Sequence, residues 1–156
     1  MRAFIDSAGG YLSTFSQTVA GERISGTEVV QRVADNQSVS PRLLLAFIEY
    51  RSGLVYNSHE PSDIYHPLQM NNVFFKGLYQ ELSLTARLIN SGYYGWRYGE
   101  LNELTFNNQV SSWITSDLNA GSVGLQYLFA NLYPSYEWEE RLLGSGGFIE
   151  VYLGMF

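Results

Sequence analysis

Residues 40–53 have the sequence SPRLLLAFIEYRSG, which predicts one helix with a defined start and end. Its Ser-Pro start suits an N-cap followed by a first helical residue whose missing N–H costs no hydrogen bond. Residues 43–48 are apolar on every side of the helix, a pattern typical of a helix inside a core. Gly53 is a favourable residue for ending it. We therefore expect a buried central helix over about 41–52.

Helical patterns continue on both sides of this segment. Ser25-Gly26-Thr27-Glu28 is a capping box, with a hydroxyl at the cap and a carboxylate three residues later. The polar chain over 54–71 holds two prolines and predicts a long loop. Gly92 is expected to end the helix that follows this loop, before an aromatic loop over 93–99. Apolar spacing predicts helices over about 26–36, 72–90, 120–131, 136–143 and 147–153, and a small β-hairpin over about 103–114.

The length of 156 residues fits one domain with its own core. We predict a mainly α fold in a single domain over 1–156, with residues 1–24 as an N-terminal extension packed on it. Aromatic residues make up 15% of the chain, and tyrosine is the commonest of them. Tyrosine joins a flat apolar face to a polar tip, which suits both sugar stacking and wet protein interfaces.

Charge and composition exclude several classes of function. A net charge of −6 argues against nucleic acid and against an anionic membrane surface as partners. The absence of cysteine excludes disulfides and thiolate chemistry. No apolar run is long enough for a membrane span, and a signal or anchor for export would lie outside this chain. His59 and His66 have no partners at ligand spacing, so we predict no metal and no cofactor.

Two stretches resemble a known family. Residues 44–53 resemble the segment of soluble lytic transglycosylases and goose-type lysozymes that ends in Glu-Ser-Gly. Residues 118–121, followed by Val123 and Tyr127, resemble the Ala-Tyr-Asn-Ala-Gly motif of that family, in the same order along the chain. The resemblance implies a lysozyme-like helical domain that acts on peptidoglycan or a related amino-sugar polymer.

A closer resemblance covers nearly the whole chain. The segments 25–31, 39–45, 49–53, 77–79, 90–97 and 118–121 are similar to the lysozyme-like domain that precedes lysostaphin-type zinc peptidases in envelope proteins of Chloroflexi-like bacteria. This resemblance implies cell-wall work, a location in the cell envelope or outside the cell, and a peptidase domain outside this chain as partner. The peptidase's own zinc ligands are absent, because the chain has only two histidines.

The resemblance breaks at the catalytic position. Active lytic transglycosylases have a Glu before Ser-Gly as the general acid, and this chain has Arg51 there. Arginine stays protonated and cannot pass a proton at neutral pH. Glu49 is the alternative acid, although two residues on a helix differ by about 200° of rotation. Glu49 also has a structural interpretation, as the partner of Arg42 or Arg87, and it takes the catalytic role only if it faces the groove.

Other candidate residues have alternatives of their own. Arg51 suits the carboxylate of a muropeptide, or else caps the last carbonyls of its helix. Trp96 is expected to be a core anchor. Glu60 and Asp63 are a second, weaker pair of acids in the long loop. The resemblance implies a substrate-binding set of Arg51, Ser52, Gln69, Tyr93, Tyr94 and Asn119, the last as a hydrogen-bond partner of an acetamido group.

Three hypotheses for function follow from this pattern. The first is a lysozyme-like domain that binds peptidoglycan glycan strands and has lost or altered the glycosidase chemistry. The second is an active muramidase or lytic transglycosylase that uses Glu49. The third is a protein-interaction module that packs on a partner peptidase domain.

Overall fold

The computed structural model describes residues 1–70 and 72–156, and it is mainly α-helical with two small antiparallel sheets. The predicted fold class is therefore confirmed. The chain separates into two compact units, residues 1–86 with 151–156, and residues 87–150. In the described part of the chain, no helix is long and apolar enough to cross a membrane.

The first unit contains the predicted central helix. Its elements are α1 (Arg2–Ala8), α2 (Tyr11–Thr14), β1 (Ser16–Val19), β2 (Glu22–Ser25), α3 (Gly26–Gln37) and α4 (Pro41–Ser52). Helix α4 has the predicted bounds, and five consecutive residues, Leu44–Ile48, are buried. It ends at Gly53, which has a φ of 67° and whose N–H donates to the Glu49 carbonyl at 2.8 Å. Because α4 is buried, its position determines where the chain after Gly53 leaves the core.

Helix α3 begins at the predicted capping box. The Glu28 carboxylate accepts the Ser25 backbone N–H at 2.8 Å, and the Ser25 hydroxyl accepts the Glu28 N–H at 3.3 Å. Val29, Val30 and Val33 are buried along one stripe, as the spacing predicts. The helix therefore packs its apolar face into the core of the first unit.

The N-terminal residues form part of the core of the first unit. Ile5 and Leu12 are fully buried, and the strands β1 and β2 form a hairpin directly before α3. The backbone of Gly10 donates to the Val55 carbonyl at 3.1 Å, and that of Leu12 donates to the Leu54 carbonyl at 2.9 Å. A Cβ at Gly10 would lie 2.2 Å from the Val55 oxygen, so this close approach of two backbones requires glycine.

The predicted helix over 72–90 is placed wrongly. Helix α5 covers Leu78–Arg97, and its range includes residues of both units. It starts after Gly77, whose φ of 82° is outside the helical region. Gly92 does not end the helix, which continues to Arg97. A Cβ at Gly92 would lie 2.5 Å from Cβ of Tyr127 and 3.0 Å from Cα of Gly124. Gly92 is thus a site of close helix packing, and the aromatic segment after it is helical rather than a loop.

The second unit contains the remaining predicted elements. They are β3 (Glu103–Thr105), β4 (Ser111–Trp113), α6 (Ala120–Leu132) and α7 (Trp138–Leu143), while α8 (Phe148–Met155) includes residues of both units. The strands β3 and β4 pair with Leu104 opposite Ser112, which confirms the predicted hairpin. Leu104, Phe106 and Ala130 form a small buried cluster, and Trp138 packs against it. This cluster joins the hairpin to α6 and α7.

Candidate functional site

A polar cavity of about 300 Å³ lies at the C-terminal end of α4 in the first unit. Three residues of the predicted substrate-binding set, Arg51, Ser52 and Gln69, line it together. Glu49 is not among the described residues of its lining. The full lining is Tyr50, Arg51, Ser52, Gly53, Pro61, Ser62, Asp63, His66, Pro67 and Gln69. The end of one buried helix and the long loop after it therefore form one candidate site.

The Glu49 carboxylate stabilises the turn that follows α4. Its Oε2 accepts the backbone N–H of Val55 at 3.0 Å and that of Tyr56 at 3.2 Å. Arg42, one partner considered from the sequence, instead lies with its guanidinium carbon 5.4 Å from the ring centroid of Phe156. These contacts support a structural role for Glu49.

Arg51 binds the loop backbone that forms one wall of the cavity. Its Nε donates to the Leu68 carbonyl at 2.8 Å, and its Nη2 donates to the Gln69 carbonyl at 2.6 Å. Arg51 therefore binds backbone of the long loop. Ser52, the next residue, donates its hydroxyl to the Ile48 carbonyl at 2.8 Å, one turn back in α4.

The structure places a buried carboxylate, Glu81, behind this wall. Its side chain is fully buried, and each oxygen accepts one backbone N–H, from Leu68 at 2.6 Å and from Met70 at 3.0 Å. Nδ1 of His66 lies 3.7 Å from Oε1. Burial raises the pKa of the Glu81 carboxyl above its ordinary value, although the two N–H donors, His66 and Arg51 all act in the opposite direction.

Sequence reasoning missed Glu81, yet the sequence contains a signal for it. Leu78, Leu82 and Thr85 share one face of α5 with Glu81 at steps of three and four residues, and all are buried. A carboxylate on an apolar stripe needs hydrogen-bond partners inside the protein, because an unpaired buried charge is costly. The stripe alone does not identify those partners, since they come from a loop more than ten residues earlier.

Gln69 has a backbone conformation that non-glycine residues rarely adopt. Its φ is 50°, in the left-handed region. Such strain persists only where surrounding contacts hold it, and it is concentrated at functional sites. Here Arg51 binds the Leu68 and Gln69 carbonyls while Glu81 binds the N–H groups of Leu68 and Met70. The two charged side chains hold Gln69 at the edge of the cavity.

The two acids of the long loop are separated by their contacts. Asp63 lines the cavity, and its Oδ1 accepts the backbone N–H groups of Tyr65 at 2.8 Å and His66 at 3.2 Å. Glu60 accepts the phenol proton of Tyr11 at 3.0 Å. Desolvation and this contact raise the pKa of Tyr11. Asp63 therefore orients the backbone next to His66, whereas Glu60 fastens the loop to the N-terminal segment.

The other predicted binding residues lie in the second unit. Tyr94 is 44% exposed, and its ring stacks on that of Tyr98 with centroids 6.0 Å apart and 14° between the planes. The Tyr93 hydroxyl accepts from Nη1 of Arg97 at 3.2 Å. Asn119 is the N-cap of α6, and its Oδ1 accepts the Ser122 N–H at 2.9 Å. Tyr98 belongs to the same predicted aromatic segment over 93–99; it directly follows α5, and its backbone N–H donates to the Tyr94 carbonyl at 2.9 Å.

Two further predictions concern Trp96 and the histidines. The Trp96 indole N–H donates to the Leu118 carbonyl at 2.9 Å from a partly buried position, which fits an anchor role. Nδ1 of His59 lies 2.7 Å from Oδ1 of Asn57, and His66 faces Glu81. Over residues 1–70 and 72–156 there is no group of three or more His, Asp or Glu residues arranged to hold a metal ion.

Comparison with known families gives one match. The family model described as LasA, N-terminal domain, matches residues 1–156. That family is associated with a larger, secreted peptidase related to the cell wall. No curated protein and no solved structure matches the chain.

Proposed function

Because the chain belongs to the LasA N-terminal domain family, we propose that it is the part of a cell-wall peptidase that binds peptidoglycan glycan strands without cleaving them. The observation that carries this proposal is the cavity that gathers Arg51, Ser52 and Gln69 while Glu49 serves the adjacent turn. The proposed role is to hold the peptidase on its substrate.

The chemistry of the cavity supports binding over cleavage. Cleavage of a glycosidic bond needs a group that donates a proton to the leaving oxygen. Arginine is a poor proton donor at neutral pH, and Glu49 and the lining residue Asp63 each use one carboxylate oxygen to accept two backbone N–H groups. Glu81 lies under the wall with no exposed surface, so it does not reach a ligand in the cavity. A glycosidase that uses Glu49 is therefore the less favoured alternative.

The tyrosine pair at the C-terminal end of α5 supports a sugar ligand. Tyr94 and Tyr98 are both exposed and present nearly parallel rings at 6.0 Å. Flat aromatic faces with polar tips suit pyranose rings, which carry apolar C–H faces and hydroxyl edges. Amide and hydroxyl groups such as those of Gln69 and Ser52 suit the acetamido and hydroxyl groups of amino sugars. On the basis of these residues and of the sequence motifs, we also propose that this domain is related to lysozyme-like domains.

The remaining parts of the proposal concern place and partner. A location in the cell envelope or outside the cell fits the secreted family. The partner is the peptidase domain of the same larger protein, outside the residues described here. Peptidoglycan is the substrate that such a peptidase and a glycan-binding domain would share.

One observation favours a second candidate function, a surface that packs on the peptidase domain. Phe74 is 88% exposed and Val73 is 70% exposed in the loop before α5. Adjacent exposed apolar side chains mark interaction surfaces more often than isolated ones do. Under this alternative, Phe74→Ser and Val73→Ser weaken association with the peptidase domain and leave binding to peptidoglycan unchanged.

The decisive experiment incubates the purified chain with insoluble peptidoglycan and measures both co-sedimentation and released muropeptides. Gln69→Ala tests the cavity, and Gln109→Ala is its matched control because Gln109 also has a left-handed backbone, with a φ of 64°. We expect sedimentation without release, weakened by Gln69→Ala and not by Gln109→Ala. If the wild-type chain releases muropeptides and Glu49→Gln does not, the chain is a glycosidase instead. If the wild-type chain neither co-sediments with peptidoglycan nor releases muropeptides, the interaction surface is favoured.

A further inference from the structure

The proposed binding role leaves one unusual group unexplained, the buried carboxylate of Glu81. Burial of a charge is costly unless hydrogen bonds and a counter-charge compensate for it. Glu81 has two backbone N–H donors, at 2.6 and 3.0 Å, and the imidazole of His66 at 3.7 Å. His66 itself lines the cavity and is one-quarter exposed. Glu81 is thus joined to the cavity through His66 and through the loop backbone.

We propose that Glu81 is the positioning residue of the cavity: together with Arg51 it holds the Leu68–Met70 segment so that Gln69 is presented to a neutral amino-sugar ligand, and its protonation loosens that segment. The proposal rests on the proposed function for the nature of the ligand. Its structural core rests only on the contacts of the first unit.

The arrangement depends on both carboxylate oxygens being acceptors. An ionised carboxylate has only acceptors, so one oxygen binds the Leu68 N–H and the other binds the Met70 N–H. Protonation converts one oxygen into a hydroxyl, which is a donor and a weaker acceptor. One of the two N–H groups then loses its charge-assisted hydrogen bond. Because Gln69 lies between these two residues, its strained backbone loses support on that side.

The titratable and charged groups around Glu81 tune this proton equilibrium. His66 faces it from the loop, Arg51 from α4, and Asp63 orients His66 through the backbone N–H at 3.2 Å. His66 and Arg51 favour the ionised form of Glu81, whereas burial disfavours it. The ligand-ready arrangement is therefore the one with Glu81 ionised, and acidification removes it.

The test follows the ¹⁵N-labelled chain by NMR during a pH titration. We expect the backbone amides of Leu68 and Met70 and the side-chain amide of Gln69 to shift with one shared midpoint. Glu81→Gln removes that shared titration, and the exposed Glu22→Gln, in an ion pair with Arg32, leaves it intact. If the Leu68 and Met70 amides titrate and the Gln69 side chain does not, the positioning role is overturned, and no variant is needed for this result.

A binding arm uses chitotetraose as the probe. We expect its Kd to weaken at low pH with the same midpoint in the wild-type chain. In Glu81→Gln the Kd is about fivefold weaker and independent of pH, the equivalent of about one net hydrogen bond. A pH profile in Glu81→Gln like that of the wild type contradicts the proposal. If the wild-type chain does not bind any glycan, the proposed function fails, and the NMR titration still decides the role of Glu81.

Discussion

Arg51 and Glu81 bind the two backbone polar groups of one residue, Leu68. Arg51 Nε donates to its carbonyl at 2.8 Å, and Glu81 Oε2 accepts its N–H at 2.6 Å. Leu68 is fully buried, so neither group has water as an alternative partner. Arg51 therefore has a structural function that a glutamate could not perform, because a carboxylate has no proton to donate to a carbonyl.

This relationship predicts that Arg51→Glu does not restore a glycosidase. The substitution removes the donors to the Leu68 and Gln69 carbonyls and places a carboxylate against them. Each charged hydrogen bond of this kind contributes about 1.5–3 kcal/mol, so we expect a clear loss in the free energy of unfolding by urea. Muropeptide release from insoluble peptidoglycan stays absent. Arg23→Glu, the same charge change at a hydrogen bond to the Ser16 hydroxyl, is the control. A stable Arg51→Glu chain that releases muropeptides contradicts the structural role.

The raised pKa of Glu81 predicts the sign of a pH dependence. In the unfolded chain the carboxyl has a pKa near 4.5, and burial raises the pKa in the folded chain. The folded chain then binds more protons between the two values, so its free energy of unfolding falls as pH rises through the folded pKa. The slope is at most about 1.4 kcal/mol per pH unit for one group.

The measurement is the difference in free energy of unfolding between the wild type and Glu81→Gln from pH 4 to pH 8. We expect this difference to favour the wild type most at the acidic end. Glu28→Gln gives the opposite sign, because the Ser25 hydrogen bonds lower the pKa of Glu28 and its contribution is lost as pH falls. Equal slopes for the two variants would refute the assignment.

The elements that the sequence predicts correctly are those whose signals are local. Helix α4 has its predicted bounds because burial on all sides and the Gly53 stop are both written in one short segment. The capping box of α3 is local in the same way. For the site, the resemblance selects Arg51, Ser52 and Gln69, which the structure places around one cavity. Whether they bind substrate stays a prediction.

The elements that the sequence does not predict depend on contacts between distant residues. Gly92 has the composition of a helix stop, and only the approach of Tyr127 shows that it is a packing position inside α5. Glu81 looks like an ordinary helical carboxylate until the loop at Leu68 is folded onto it. Apolar and polar residues alternate too little in β1 and β2 for the sequence to predict the N-terminal hairpin.

The close packing at Gly92 predicts a cost for the smallest possible side chain. Gly92→Ala places a Cβ 2.5 Å from Cβ of Tyr127, so helix α6 must shift. Overpacking of this kind costs about 1–3 kcal/mol, measured as the free energy of unfolding by urea. Gly154→Ala is the matched control, because that helical glycine has no atom within 4 Å of a Cβ and gains about 0.5–1 kcal/mol. If both variants gain stability, the close approach is not a constraint.

The parallel rings of Tyr94 and Tyr98 predict which tyrosines bind sugar. Tyr98 is 68% exposed and stacks on Tyr94, so a pyranose ring can stack on the outer face of Tyr98. Tyr98→Ala removes this aromatic face without opening the core, and we expect co-sedimentation with peptidoglycan to weaken about two- to tenfold. Tyr136→Ala is the control, because Tyr136 is 79% exposed on the same unit with no stacked tyrosine beside it among the described ring contacts. Equal losses in the two variants would mean that the exposed tyrosines act through general adhesion, and the paired geometry would then have no part in recognition.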